Sequence, residues 1–179
     1  MADNIQFNTP EGQTVARETL IACLNTGEAS SPVWSPVGIR VYSSNADYDW
    51  QRETNQDIMG NSYSNMKKPI VTQTFDPWEL NNGDVAQLQI WNDGIRKQDA
   101  QAMSNKDMLI IHKYAGTANT AVFAERYQSC AVEINSLGGD GGGNLGMPIT
   151  VTYGGTRTTG TVAIEDGMFT FSPDEESGL

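Results

Sequence analysis

The chain has little with which to do covalent chemistry: His112 is its one histidine, and Cys23 and Cys130 are its two cysteines, in 179 residues. A single imidazole excludes a histidine-cluster zinc site and leaves any Ser/His/Asp arrangement with one candidate base. His112 lies inside the apolar run Met108 to Tyr114, where a hydrogen-bonded strand histidine is expected. The cysteines are far apart and lack Cys-x-x-Cys spacing, so buried thiols are expected rather than a redox pair or a disulfide framework. Gly138 to Asn144 is rich in glycine, but no Lys-Ser/Thr follows it as a phosphate loop requires, and a single Asp does not supply a calcium loop. It reads as a connector. No catalytic residue, metal site or cofactor is expected.

Long apolar runs are absent too. None approaches the roughly eighteen residues of a membrane span, and the start Met1, Ala2, Asp3, Asn4 has neither a basic nor an apolar stretch. A protein kept in a reducing cytoplasm is expected. Cations are scarce: eleven Lys plus Arg against twenty-two Asp plus Glu give a net charge of −11. Such a surface repels phosphate backbones and disfavours ordinary nucleic-acid binding.

What remains is strand and turn, in a length that fits one domain, 1–179. Thr14 to Asn25 divides between helix (Ala16, Arg17, Glu18) and strand (Thr19, Leu20, Ile21). Ser30, Ser31, Pro32 and Ser35, Pro36 mark a polar linker, 1–32 reads as an N-terminal arm and linker, and Val37 to Ser43 alternates as a strand. One helix is expected from Asp84, its N-cap, to about Asp99, with Val85, Leu88, Trp91 and Ile95 on the buried face. Gly94 weakens it by roughly 1 kcal/mol relative to Ala. Then Met108–Tyr114, Val122–Tyr127, Cys130–Asn135, Pro148–Tyr153, Thr158–Asp166 and Met168–Ser172 follow as short strands at regular intervals. That spacing predicts a mainly β fold, an antiparallel sandwich or barrel with one flanking helix. Alternation sets Cys130, Val132 and Ile134 against Ser129, Ala131 and Glu133, and Val162 and Ile164 against Ala163 and Glu165. Residues 173–179 form an acidic tail without apolar anchors, expected to be flexible.

The most distinctive stretch is 47–77. Asp47, Asp49 and Glu53 alternate with Tyr48 and Trp50, Pro69 to Phe75 returns as a second strand, and Asn55 to Lys68 between them is polar. This is a long protruding β-hairpin with a wet tip. A ribbon of this kind is marginal alone, so the tip reads as an arm that another subunit completes. Its candidate contact residues are Asn55, Gln56, Asp57, Ile58, Met59, Gly60, Met66, Lys67 and Lys68.

The same residues carry a resemblance. Asp47 through Gln56, Asp57, Ile58, Met59, Gly60 to Lys68, Pro69, Thr72, Gln73, Thr74, Phe75, Asp76, Pro77, followed by Ala124–Tyr127, Ser129–Glu133 and Leu137–Gly139, resembles the major tail protein (tail tube protein) of long-tailed, siphovirus-type bacteriophages. Met147, Pro148, Ile149, Tyr153, Gly154 and Gly160–Val162 extend the likeness over most of the chain from about Val33 to Phe171. The resemblance implies a structural protein of the virion tail, assembled in the host cytoplasm. Six subunits would form a ring around a continuous inner β-barrel, and rings would stack into a hollow tube for DNA ejection. The hairpin would reach the adjacent ring, and tape-measure, tail-tip and tail-terminator proteins would be partners. DNA would pass without specific binding, past a lumen to which alternation assigns Asp47, Asp49, Glu53, Glu133 and Glu165. An immunoglobulin-like binding module and the tube subunit of a contractile injection system are the alternatives; a hydrolytic enzyme lacks its base, metal set and nucleophile.

Overall fold

A computed structural model describes residues 4–175. In chain order a 3-10 turn at Arg17–Thr19 leads into β1 (Leu20–Asn25) and β2 (Trp34–Val37), then β3 (Ala46–Asp49), β4 (Glu53–Gln56), β5 (Ser62–Asn65) and β6 (Ile70–Phe75). Helix α1 (Val85–Trp91), a π-helical turn (Asn92–Arg96) and α2 (Ala100–Ser104) follow. The rest is β7 (Lys106–Thr117), β8 (Ala121–Ile134), β9 (Ile149–Tyr153), β10 (Arg157–Glu165) and β11 (Met168–Pro173). The expected architecture, antiparallel sheets with flanking helix and protruding hairpin, is the one adopted.

Strand β8 belongs to two sheets. Its first half pairs with β7 on one side (Ile111↔Ala124) and with β10 on the other (Gly160↔Ala124). Its second half pairs with β9 (Ala131↔Thr152 to Ile134↔Ile149), and β9 continues to β6 and β3. The first sheet therefore runs β2-β1-β7-β8-β10-β11 and the second β8-β9-β6-β3. Because β11 returns against β2, the first sheet curls into a near-barrel around Cys23, Trp34, Leu109, Ile111, Val122, Ala124 and Val162. The alternate residues Ala22, Leu24, Met108 and Ile110 point the other way. They meet Val71, Phe75, Ile149 and Val151 of the second sheet, and Trp78, Ala86 and Ile90 close that core.

β1 settles the ambiguity of Thr14 to Asn25. Lying between β2 and β7, it is buried on both faces, which suits a continuous apolar run. The N-terminal arm is thus confined to residues before it, and residues 6–8 are clipped to β7 through Gly116 N–H to Gln6 O (2.9 Å) and Asn8 N–H to Tyr114 O (2.8 Å). The strand expected over Val37–Ser43 instead ends at Val37: Val41 N–H turns back to Gly38 O, and Arg40 has φ +62°. At the other end Pro173 closes β11, and Asp174 is held to Thr159 by Asp174 N–H to Thr159 O (2.9 Å) and Thr159 Oγ1–H to Asp174 Oδ2 (2.7 Å). The acidic tail therefore begins later than 173, and residues 176–179 lie outside the described ones.

The helix differs most from expectation. Asp84 caps it as predicted, Oδ1 accepting the Gln87 N–H at 3.1 Å, but the α-helix ends at Trp91 and Asp99 caps a separate α2. The buried face is Ala86, Gln87 and Ile90, while Val85 and Leu88 are 57% and 62% exposed; Trp91 and Ile95 are half-buried. Gln87 sets this rotation. Its Nε2 donates to the carbonyls of Trp78 (3.3 Å) and Glu79 (3.0 Å), and its Oε1 accepts the Asn81 N–H (2.8 Å). Gly94 sits where a Cβ would meet Ile134 and Met103, so it permits the π-turn to lie close on β8.

Gln87→Leu, hydrophobic yet unable to serve those three backbone groups, should cost about 3 kcal/mol of stability from the orphaned partners. Leu88→Ala, at a position helical spacing would have placed in the core, should change it by no more than about 0.5 kcal/mol. Chemical denaturation at low protein concentration checks both, and equal losses would refute the assigned rotation.

Candidate assembly face and arm

The second sheet has one face in the core and one outside. Strand register places Ala131, Thr152, Thr72 and Asp47 in one cross-strand row of the outer face, with Glu133, Thr150 and Thr74 in the next. Asp49, two residues beyond Asp47 and opposite Ile70, extends the same side. The alternate residues Val71, Gln73, Phe75, Val132, Ile149, Val151 and Tyr153 are buried. The result is a threonine-lined outer face bearing three carboxylates, and β3 at its margin is paired with β6 alone among the described residues.

Two of the five acids named from alternation lie elsewhere. Asp49 Oδ1 accepts the Gln51 N–H at 3.0 Å and Gln51 has φ +49°, so the chain bends at 50–52 and Glu53 starts a different ribbon, 3.9 Å from Lys67 Nζ. Glu165 ends β10 at the turn into β11, on the first sheet. Alternation assumed an unbroken strand from Asp47 to Glu53; the bend removes that premise.

The tip of the hairpin is more ordered than its composition suggested. β4 and β5 pair from Glu53↔Asn65 to Gln56↔Ser62 as a separate two-stranded ribbon with all eight residues exposed. Asp57 ties the turn: Oδ1 accepts the N–H groups of Met59 and Asn61, both at 2.9 Å, and Oδ2 accepts Asn61 Nδ2–H (3.0 Å) and Tyr63 O–H (3.1 Å). The bonds from Asn61, with those from Tyr63 and Met59, hold its carboxyl below the ordinary range. Gly60, at φ +85°, completes the reversal in a conformation that favours glycine. Displayed on this turn are Ile58, 102% exposed, and Met59, 81% exposed. Arg52, Lys67 and Lys68 against Glu53 and Asp57 give residues 50–69 a net charge of +1, leaving eight cations against twenty acids, −12, on the rest.

An ionic cluster around the buried Glu125 links three strands of the first sheet. Glu125 of β8 accepts from His112 Nε2 (2.8 Å) and Arg157 Nε (2.8 Å), while His112 Nδ1 pairs with Tyr114 Oη (2.8 Å). Burial pushes the Glu125 carboxyl up, but the hydrogen bonds from His112 and Arg157 and their field outweigh it and hold it below the ordinary range. Burial pushes the nearby Tyr127 phenol up to about 12 and the Cys23 and Cys130 thiols likewise to about 12. His112 is thus a bonded strand histidine and both thiols are inert, as the sequence suggested. The glycine run is closed at its neck by reciprocal bonds between Gly138 and Gly146 (3.1 and 2.7 Å). Among the described residues no group of three or more His, Cys, Asp or Glu is placed to share a metal ion, and no helix is long and apolar enough to cross a membrane.

No family model and no curated protein sequence matches the chain. Its fold is similar to that of the sheath/tube terminator of an extracellular contractile injection system, PVC, with a TM-score of 0.53 at 12% identity over 84% of this chain and 99% of that one. The sheath-tube complex of that system gives 0.49 at 12% identity (85% and 95% covered), and the tube-terminating cap of the anti-feeding prophage 0.49 at 17% (89% and 97%).

Two outcomes follow from these contacts. Glu125 is held below its ordinary 4.5, so the stability it contributes is present above that pH and is lost as pH falls through the lower folded value. Urea melts across pH 2 to 6 should therefore show a shallower acid limb for Glu125→Gln than for the native chain; parallel limbs would refute the linkage. Asp57→Ala should speed hydrogen exchange at the Met59 and Asn61 amides while leaving exchange in β7 and β8 unchanged.

Proposed function

We propose that this chain is a structural subunit of a phage-tail-like tube, without enzymatic activity. Copies close into rings, six per ring as the resemblance to tail tube proteins implies, and the rings stack through the 47–77 arm into a hollow tube for DNA. The observation that carries this reading is the self-bonded ribbon Glu53–Asn65, which extends from the sheet margin with all eight of its strand residues exposed. The free outer side of β3 adds support, since closure into a ring covers an edge that a monomer leaves open. A head-to-tail contact that closes gives a ring, and a second along the axis gives an open polymer.

On this reading Asp47, Asp49 and Glu133 line the bore with their threonine rows. Carboxylates there deny a passing phosphate backbone a place to stick, within about 8 Å at physiological salt. Glu53 and Glu165 belong to the arm and the outer barrel. Tape-measure, tip and terminator proteins are the partners such a tube requires. A second reading is favoured by the fold similarity to a sheath/tube terminator: a single ring that ends a tube rather than building it.

Electron microscopy with light-scattering mass, at rising concentration, distinguishes them. Long tubes are expected from a tube subunit, discrete rings from a terminator, and a monomer at every concentration would overturn both. Deleting 55–68 should leave a folded protein that does not stack, because the bonds of that segment stay within the arm; unfolding of the deletion variant would count against the arm. Charge reversal in Asp47→Lys/Asp49→Lys should preserve rings and slow DNA passage, whereas loss of rings would make these acids interfacial.

A further inference from the structure

The arm's apolar tip needs a receiving site, and α1 offers one. Val85 and Leu88 face outward, and Leu88 with Leu80, Trp91 and the Asn81–Gly83 loop lines a groove of about 340 Å³, room for roughly eleven waters and so for aliphatic side chains. Resting on the stacking reading above, we propose that Ile58 and Met59 of one copy seat in the Leu80/Leu88/Trp91 groove of the next copy along the tube axis.

Three observations favour a second copy as the occupant. The first is position. The arm leaves the second sheet at the Asp49/Ile70 end, whereas the groove lies beyond the opposite end, just after Phe75, where Leu80 N–H bonds Leu145 O (2.8 Å) four residues before β9 begins. A donor at one end and an acceptor at the other is what head-to-tail stacking needs. The second is charge: the arm is net +1 and the body −12, so an arm approaching another copy's body is attracted, and the same body is repelled by an anionic membrane. The third is reach. Residues 50–58 span at most about 30 Å at 3.3 Å per residue, ample to cross from one sheet end to a neighbour's facing end. The Asp57 turn fixes the tip beforehand, so little ordering cost remains on docking.

Cross-linking of the full-length protein tests this directly, because the native thiols are buried and unreactive. Met59→Cys/Leu88→Cys, treated with a short bis-maleimide under tube-forming conditions, should give a ladder of covalent multimers. Either single variant, and Met59→Cys/Met168→Cys at the distant β10–β11 turn, should not. Leu88→Lys keeps helix propensity on an exposed face and sets a cation against the basic arm. It should keep the native melting curve and raise the concentration needed for tubes by at least about tenfold. Tubes without a ladder, or stacking of Leu88→Lys at the native concentration, would overturn the groove while leaving the stacking reading in place. Failure of the native chain itself to form tubes or rings would remove that reading and the docking with it.

Discussion

Strand β8 is hydrogen-bonded on both sides through its first half and passes to a new neighbour, β9, in its second. That makes β8 the strand common to both sheets, and ahead of the switch the Glu125 cluster ties β7 through His112 and β10 through Arg157 to the first half of β8. A buried carboxylate is costly unless paired and hydrogen-bonded. Here both oxygens are served, and three adjacent strands of the first sheet are held together by side chains as well as by their backbone ladders. From the pairing of β8 with β9 follow the core between the sheets, the margin at β3 and the end at which the arm leaves.

What could be read from the sequence was whatever depends on near neighbours. Period-two alternation located most strands, including Cys130, Val132 and Ile134 as an inward row, and the hairpin was visible in the polar run between Trp50 and Pro69. The turn at Asp57–Gly60 was read only as part of that polar run, although its Asp-x-x-Gly pattern was there to mark it. Distant pairing was not legible. That Glu133 shares a face with Asp47 depends on two intervening strands and their registers, and nothing local encodes it. The helix rotation was misread for a related reason. Gln87 looks like a surface residue until backbone groups of the preceding loop are brought to it, and then burying it is cheaper than leaving those groups unpaired. Val37–Ser43 alternates in hydropathy, but the turn at Gly38–Val41 outweighed the pattern.

Charge is distributed as unevenly as structure. Nearly all the acidity belongs to the body, while the arm carries three cations against two acids. Among the arm's acids Asp57 is spent internally on its turn, leaving Glu53 beside Lys67. The segment that projects is the segment the rest of the molecule attracts, and on the tube reading the chain holds both halves of its own contact. Such self-complementarity keeps monomers apart only through the dilution of the second copy, so assembly becomes a matter of concentration and initiation.

The arm also has a mechanical meaning. The ribbon is bonded within 49–67 and joins its sheet through the bent 50–52 link and Met66–Pro69. It is a self-bonded pin on a narrow mount, bridged by Lys67 N–H to Trp50 O (3.0 Å). On the tube reading the residues at its end would keep their relation to one another at any angle of the mount, and a column of subunits joined by such pins would bend without exchanging contacts.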